Sequence, residues 1–146
     1  MAELDSTRAI SGKFGEIWKD GVWLSNFHTC EAGADLQYEK VKRSGNRADG
    51  NKVVGIEYNG SISGYKVTSD LAREVGQVFD NRKGAFVCEL IVKLADPEAY
   101  GYERVRLKGV QFTKANIMKF DHGSLVEEEW PFVYDGVDWL DPITAD

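Results

Sequence analysis

Two stretches of polar–apolar alternation, 31–41 and 53–67, stand on either side of the glycine-bearing basic run KRSGNRADGNK at 42–52. No other feature constrains the fold as much. A period of two is the pattern of a strand with one face against a core and the other toward water. In the first stretch Ala32, Ala34, Leu36 and Tyr38 share a face, opposite Glu31, Asp35, Gln37 and Glu39. In the second, Val54, Ile56, Tyr58 and Ile62 point one way, and Glu57, Asn59, Ser61 and Ser63 the other. Each stretch therefore reads as a half-buried strand, with 42–52 as a long loop or a projecting hairpin. The second wet face carries small polar groups, not the Lys/Glu mixture of an ordinary outer surface. Gly55, Gly60 and Gly64 mark bends or close backbone approaches.

The flanking sequence extends the β pattern. Lys13–Trp18 and Val22–Phe27 read as a hairpin around Lys19-Asp20-Gly21, since Asp-Gly tolerates the positive φ of a tight turn. Strands are expected over 85–94, 103–112, 114–120 and 125–134, with a phase shift at Gly109 that suggests a bulge. One helix follows Thr68 or Ser69, with Asp70 at its positive end and Leu71, Val75, Val78 and Phe79 as its apolar stripe. Residues 1–9 read as an N-terminal arm and 135–146 as a C-terminal tail that carries Trp139. The 146 residues suit a single domain. The expected class is mainly β: a barrel or sandwich of two packed antiparallel sheets with one flanking helix, because such chains must manage their sheet edges.

Charge is unevenly placed. The net charge is −6, yet eight Asp/Glu and no Lys or Arg fall between Asp121 and Asp146, so the first 120 residues are slightly basic. Lys40, Lys42, Arg43, Arg47 and Lys52 crowd into 40–52 against a single Asp49. A basic excursion and an acidic end on one molecule complement each other between copies. The overall sign is wrong for a nucleic-acid binder that must neutralise phosphates. The longest apolar run, Ala85 to Cys88, is far too short to span a membrane, and the N-terminus lacks a signal-peptide core. The chain is thus expected to be made in the cytoplasm, with Cys30 and Cys88 as reduced, buried thiols.

Catalytic and metal chemistry find no support. His28, His122 and Cys30 lack ligand spacing, so no metal is expected, and no cofactor motif or G-x-S-x-G elbow occurs. Glu127-Glu128-Glu129 reads as a solvated or interface charge run, although Glu128 falls on the apolar side near Trp130 and Phe132. The expectation is that the protein is not an enzyme.

Several segments, in order, resemble one family. They are Ile10-Ser11-Gly12-Lys13-Phe14-Gly15, the excursion from Gly45-Asn46-Arg47 to Gly55, and Gly64-Tyr65-Lys66-Val67-Thr68-Ser69. Glu103-Arg104-Val105-Arg106-Leu107 with Val110 and Phe112, and Leu125-Val126-Glu127-Glu128-Glu129-Trp130-Pro131-Phe132, complete the set. From about residue 10 to 135 the chain resembles the tail tube proteins of contractile phage tails, of the kind found in the defective Bacillus prophage PBSX. It departs from them in extra aromatics in the first hairpin and in an aromatic C-terminal end, Tyr134 and Trp139.

The resemblance implies hexameric rings stacked into a hollow tube inside a contractile sheath, with no activity and no cofactor. Its implied partners are further copies of itself, a tail sheath protein, and baseplate and tail terminator proteins. DNA would pass through the lumen without specific binding, and no stable membrane association is implied. The implied location is a virion or phage-tail-like particle assembled in the bacterial cytoplasm. On this reading Glu31, Asp35, Glu39, Glu57, Asn59, Ser61 and Ser63 line the lumen. Lys42, Arg43, Arg47, Asp49 and Lys52 form a contact loop that reaches a neighbour, and Glu127, Glu129, Asp135 and Asp138 offer the acidic surface it meets. A phage tail, a phage-tail-like bacteriocin and a type VI secretion-like tube all fit. A small ligand-binding β-barrel, its cavity lined by Trp18, Trp23, Tyr58 and Tyr65, is the reading from a different class.

Overall fold

A computed structural model describes residues 3–144. Its elements in chain order are β1 (Gly15–Lys19), β2 (Val22–Trp23), β3 (Phe27–Val41), β4 (Gly50–Tyr65), α1 (Asp70–Val75), β5 (Cys88–Leu94), β6 (Glu103–Phe112), β7 (Glu127–Val133) and β8 (Gly136–Asp141). All strand pairs are antiparallel, in the order β2-β1-β5-β6-β7-β4-β3, with β8 on β6. The mainly β class with one flanking helix is as expected. The two sheets, however, are one continuous eight-stranded sheet, a path of seven strands with β8 branching from β6, that folds over on itself, and among the described residues β2 and β3 do not pair to close a barrel.

The fold-over happens along β6. Its first part pairs with β8 through Lys108↔Gly136, and its last two residues pair with β7 through Gln111↔Val133 and Phe112↔Phe132. Between them Gly109 has φ +66° at the expected phase shift, and a Cβ there would run into the Asp135 carboxylate. The turn lets β7 leave β6 and join β4, so one layer holds β1, β5, β6 and β8 and the other β7, β4 and β3. Ile17, Leu90, Leu107 and Val110 from the first layer meet Ile62, Trp130 and Phe132 from the second, and all are buried. Phe112 sets its edge against both Trp130 and Phe132, at 5.9 and 6.0 Å, the arrangement aromatic quadrupoles favour.

Three local expectations need correction. The segment 114–120 is not a strand; it runs beside β7 without a ladder. Of the supposed tail 135–146, Gly136–Asp141 is a strand, held on β6 by Val137 opposite Leu107, Trp139 opposite Val105, and ion pairs from Arg104 to Asp141 and from Arg106 to Asp138. Residues 145 and 146 lie outside the described part, as do 1 and 2 of the arm. The helix is capped through Thr68, whose Oγ1 accepts from Asp70 N–H at 3.4 Å, while Ser69 makes no side-chain cap bond. Only Val75 of the helical stripe is buried. The last turn tightens into a 3-10 turn at Gly76–Phe79, which swings Val78 and Phe79 outward. Asp20 and Gly21 make the expected tight turn with φ of 48° and 84°.

Candidate functional site

The longest feature of the molecule is the β3–β4 hairpin. At about 3.3 Å per residue its 15-residue first strand is about 50 Å long. Its base belongs to the core: Ile62 is fully buried, and Tyr134 Oη donates to the Gly33 carbonyl at 2.8 Å, which ties the hairpin to the turn before β8. Beyond Tyr58 nothing among the described residues covers it. Leu36, Tyr38 and Ile56, on the face that alternation assigns to a core, are 50, 58 and 50% exposed, and Val53, which register sets opposite Tyr38 in place of the expected Val54, is 43% exposed. The two strands are therefore not half-buried along their length as expected. Val54 is the extra residue of a bulge, because Gln37 pairs with Gly55 and Tyr38 with Val53.

The opposite face of the same layer gathers the carboxylates. Register places Glu31 beside Ser61, Asp35 beside Glu57 and Thr29 beside Ser63. Ser63 is in turn opposite Glu129, and Tyr65 opposite Glu127. Glu31, Asp35, Glu57, Asn59, Ser61, Ser63, Glu127 and Glu129 thus share one surface, with Glu39 further out opposite Lys52. Asn59 Nδ2 donates to Asp35 Oδ2 at 2.8 Å, and His28 Nε2 lies 3.2 Å from Glu127 Oε1. A shallow groove over Glu31, Asp35, Asn59, Ser61 and Pro131 shows that the face continues from β3 to β7. Glu128 points to the other side, nearly buried, with Lys66 Nζ 3.7 Å away.

The remaining candidate residues are dispersed. Lys42, Arg47, Asp49 and Lys52 are exposed at or near the hairpin end. Arg43 is committed locally: its Nε and Nη2 donate to the Ala48 carbonyl at 3.2 and 3.1 Å, shaping a loop in which Gly45 has φ +73°. Asp138 is likewise engaged within its own chain by Arg106 at 2.8 Å and Lys108 at 3.4 Å, and Asp135 sits at the Gly109 corner. Glu127 and Glu129 therefore lie on the face of the lumen candidates, apart from Asp135 and Asp138. The aromatics proposed to line one cavity do not converge. Trp18 and Trp23 stack on each other at the β1–β2 edge, Tyr65 packs on His28, and only Tyr58 reaches the apolar cleft between the layers.

Sequence reasoning missed the exposed underside of the hairpin, because alternation reports that a face is apolar and not what covers it. The described residues hold no cluster of three or more His, Cys, Asp or Glu suited to a metal ion, and no helix among them is long and apolar enough to cross a membrane. Burial pushes the Cys30 thiol up to about 11 and that of Cys88 to about 12, so neither is poised as a nucleophile.

A mainly β subunit that presents one polar face and leaves an apolar face of the same layer open belongs to the class of assembly-building proteins. The chain belongs to the phage tail tube protein family, whose model matches residues 2–141. It is 30% identical over 136 residues to the phage-like element PBSX protein XkdM of Bacillus subtilis (strain 168), covering 92% of each chain. Its fold is similar to a chain in the extended sheath–tube complex of an extracellular contractile injection system, PVC, at TM-score 0.69 and 12% identity, with 90% of both chains covered. It is also similar to a chain in the anti-feeding prophage cap, the AFP tube terminating cap, at TM-score 0.72 and 11% identity, with 97% of this chain and 95% of that one covered. Its role is that of a structural tail tube protein, a component of a virion or tail-like particle.

Proposed function

We propose that the subunit closes into hexameric rings, which stack into the hollow inner tube of a contractile tail or phage-tail-like bacteriocin and act as a conduit or puncturing rod without enzymatic activity. The observation that carries this reading is the hairpin beyond Tyr58, whose apolar underside the subunit leaves in water. Leu36, Tyr38, Val53 and Ile56 are already about half covered, so completing their burial against neighbouring copies recovers about half of the ~1.5–3 kcal/mol that fully burying a large apolar side chain is worth. The carboxylate face then lines the lumen. Its charge repels phosphate at close range, within a Debye length of about 8 Å, so passing DNA slides without adhering.

The exposed cations at the hairpin end, Lys42, Arg47 and Lys52, reach a neighbouring ring and meet Glu127 and Glu129 on its carboxylate face. Sheath, baseplate and terminator proteins contact the outside and the ends of the tube, which assembles in the bacterial cytoplasm. Solved folds taken from a sheath–tube complex and a tube terminating cap support this set of partners. Negative-stain electron microscopy of the concentrated protein, and of lysates of producing cells, tests the reading. Sixfold rings or hollow tubes are expected; their absence from both preparations refutes it.

A further inference from the structure

The two lateral ends of the hairpin layer are unlike each other, and each leaves apolar groups unfinished. Beneath β3, the edge strand, an apolar cleft of about 400 Å³ opens between the layers. Ala32, Ala34 and Tyr58 form its roof, and Val105, Val137 and Trp139 its floor. Trp139 is 61% exposed. Glu103 belongs to the lining and has no ion-pair partner among the described residues.

At the other end of the layer the chain leaves β6 and runs along β7. Thr113 N–H donates to the Pro131 carbonyl at 3.0 Å and Asn116 Nδ2 to the Glu129 carbonyl at 2.7 Å, which fixes the segment to that edge. Immediately beyond, Ile117, Met118 and Phe120 are 71, 75 and 65% exposed. Lys114 and Lys119 accompany them, again without ion-pair partners among the described residues.

A protruding apolar segment on one edge and an open apolar cleft on the opposite edge make a heterologous pair, and such contacts close into a ring when the rotation per subunit allows. We propose that Ile117, Met118 and Phe120 of one subunit fill the cleft beneath β3 of the next copy, with Lys114 or Lys119 set against Glu103. The inference rests on the ring reading and names its lateral contact. Charge supports a second copy as the occupant: the cleft contributes the acid and the segment the bases.

The test places Met118→Cys and Trp139→Cys together in a Cys30→Ser chain. Tubes from purified protein, or tails from producing cells, are treated with a short bis-maleimide. A ladder from dimer up to the closed ring is expected in assembled material, and it disappears when either new cysteine is omitted. In parallel, Phe120→Asp is expected to lower assembly about tenfold or more, with the subunit's unfolding midpoint unchanged because the ring is exposed in the subunit. Rings that give no ladder, or that Phe120→Asp forms as well as the parent, overturn the lateral contact and leave the ring reading standing. A parent chain that forms no rings in either preparation overturns both.

Discussion

Arg106 and Lys108 reach across the β6–β8 ladder to Asp138, and the Arg106 hydrogen bond above all holds its carboxyl below the ordinary 3.8. Asp96 is held low in the same direction by the backbone N–H groups of Ser11 and Glu98. A carboxyl depressed in the folded state stabilises it at every pH above the unfolded value, and that contribution is lost as pH falls through the folded value. Denaturant midpoints are therefore expected to drop as pH is lowered below about 4, and Asp138→Asn and Asp96→Asn should each make that acid limb shallower. Gly109→Ala combines a left-handed backbone with the Asp135 collision. It should cost at least ~1–2 kcal/mol by equilibrium unfolding, whereas Gly12→Ala, with open space around its Cβ, should do much less. Both thiols should resist a disulfide reagent at neutral pH until denaturant is added, since burial keeps them protonated.

Among the elements, those whose partners lie close in sequence were the most legible. The Asp20-Gly21 hairpin, the helix after Thr68 and the phase break at Gly109 each carry their own local chemistry, and each is in place. The strand at Gly136–Asp141 was not legible, because its ladder is supplied by β6, far away in sequence, and its acidic residues resemble a solvated tail until Arg104 and Arg106 are set opposite them. The segment 114–120 erred in the other direction: its apolar residues suggest a strand, but after Phe112 the pairing with β7 gives way to isolated bonds. The carboxylate face of the hairpin was readable from alternation alone. That Glu127 and Glu129 join it was not, since that depends on β7 pairing with β4. At the hairpin end, Lys42→Glu with Arg47→Glu should impair tube assembly without changing the unfolding midpoint, as seen by microscopy and circular dichroism. Arg43→Glu should disturb the loop itself, because it removes the two bonds to the Ala48 carbonyl.

For the whole molecule, the decisive arrangement is two faces of one layer, one polar, which the proposed tube would turn to its lumen, the other apolar and left exposed by the subunit. Changing Glu31, Glu57 and Glu129 together to Lys should leave the subunit folded, because all three side chains are exposed, yet give it salt-dependent retention on immobilised DNA that the parent lacks. Truncating the centre of the core acts differently: Phe132→Ala should cost about 3–5 kcal/mol and unfold both layers together, because Phe132 packs where β6 hands over to β7. The long outer edge of β3, without a partner strand among the described residues, has one more consequence. An uncapped edge of this length invites runaway strand addition of the amyloid kind, the more so while subunits are waiting to be used. Along that edge the exposed Glu31, Asp35, Glu39 and Lys40 side chains put charge in the way of a flat apolar strand, a common means of keeping a sheet edge from aggregating.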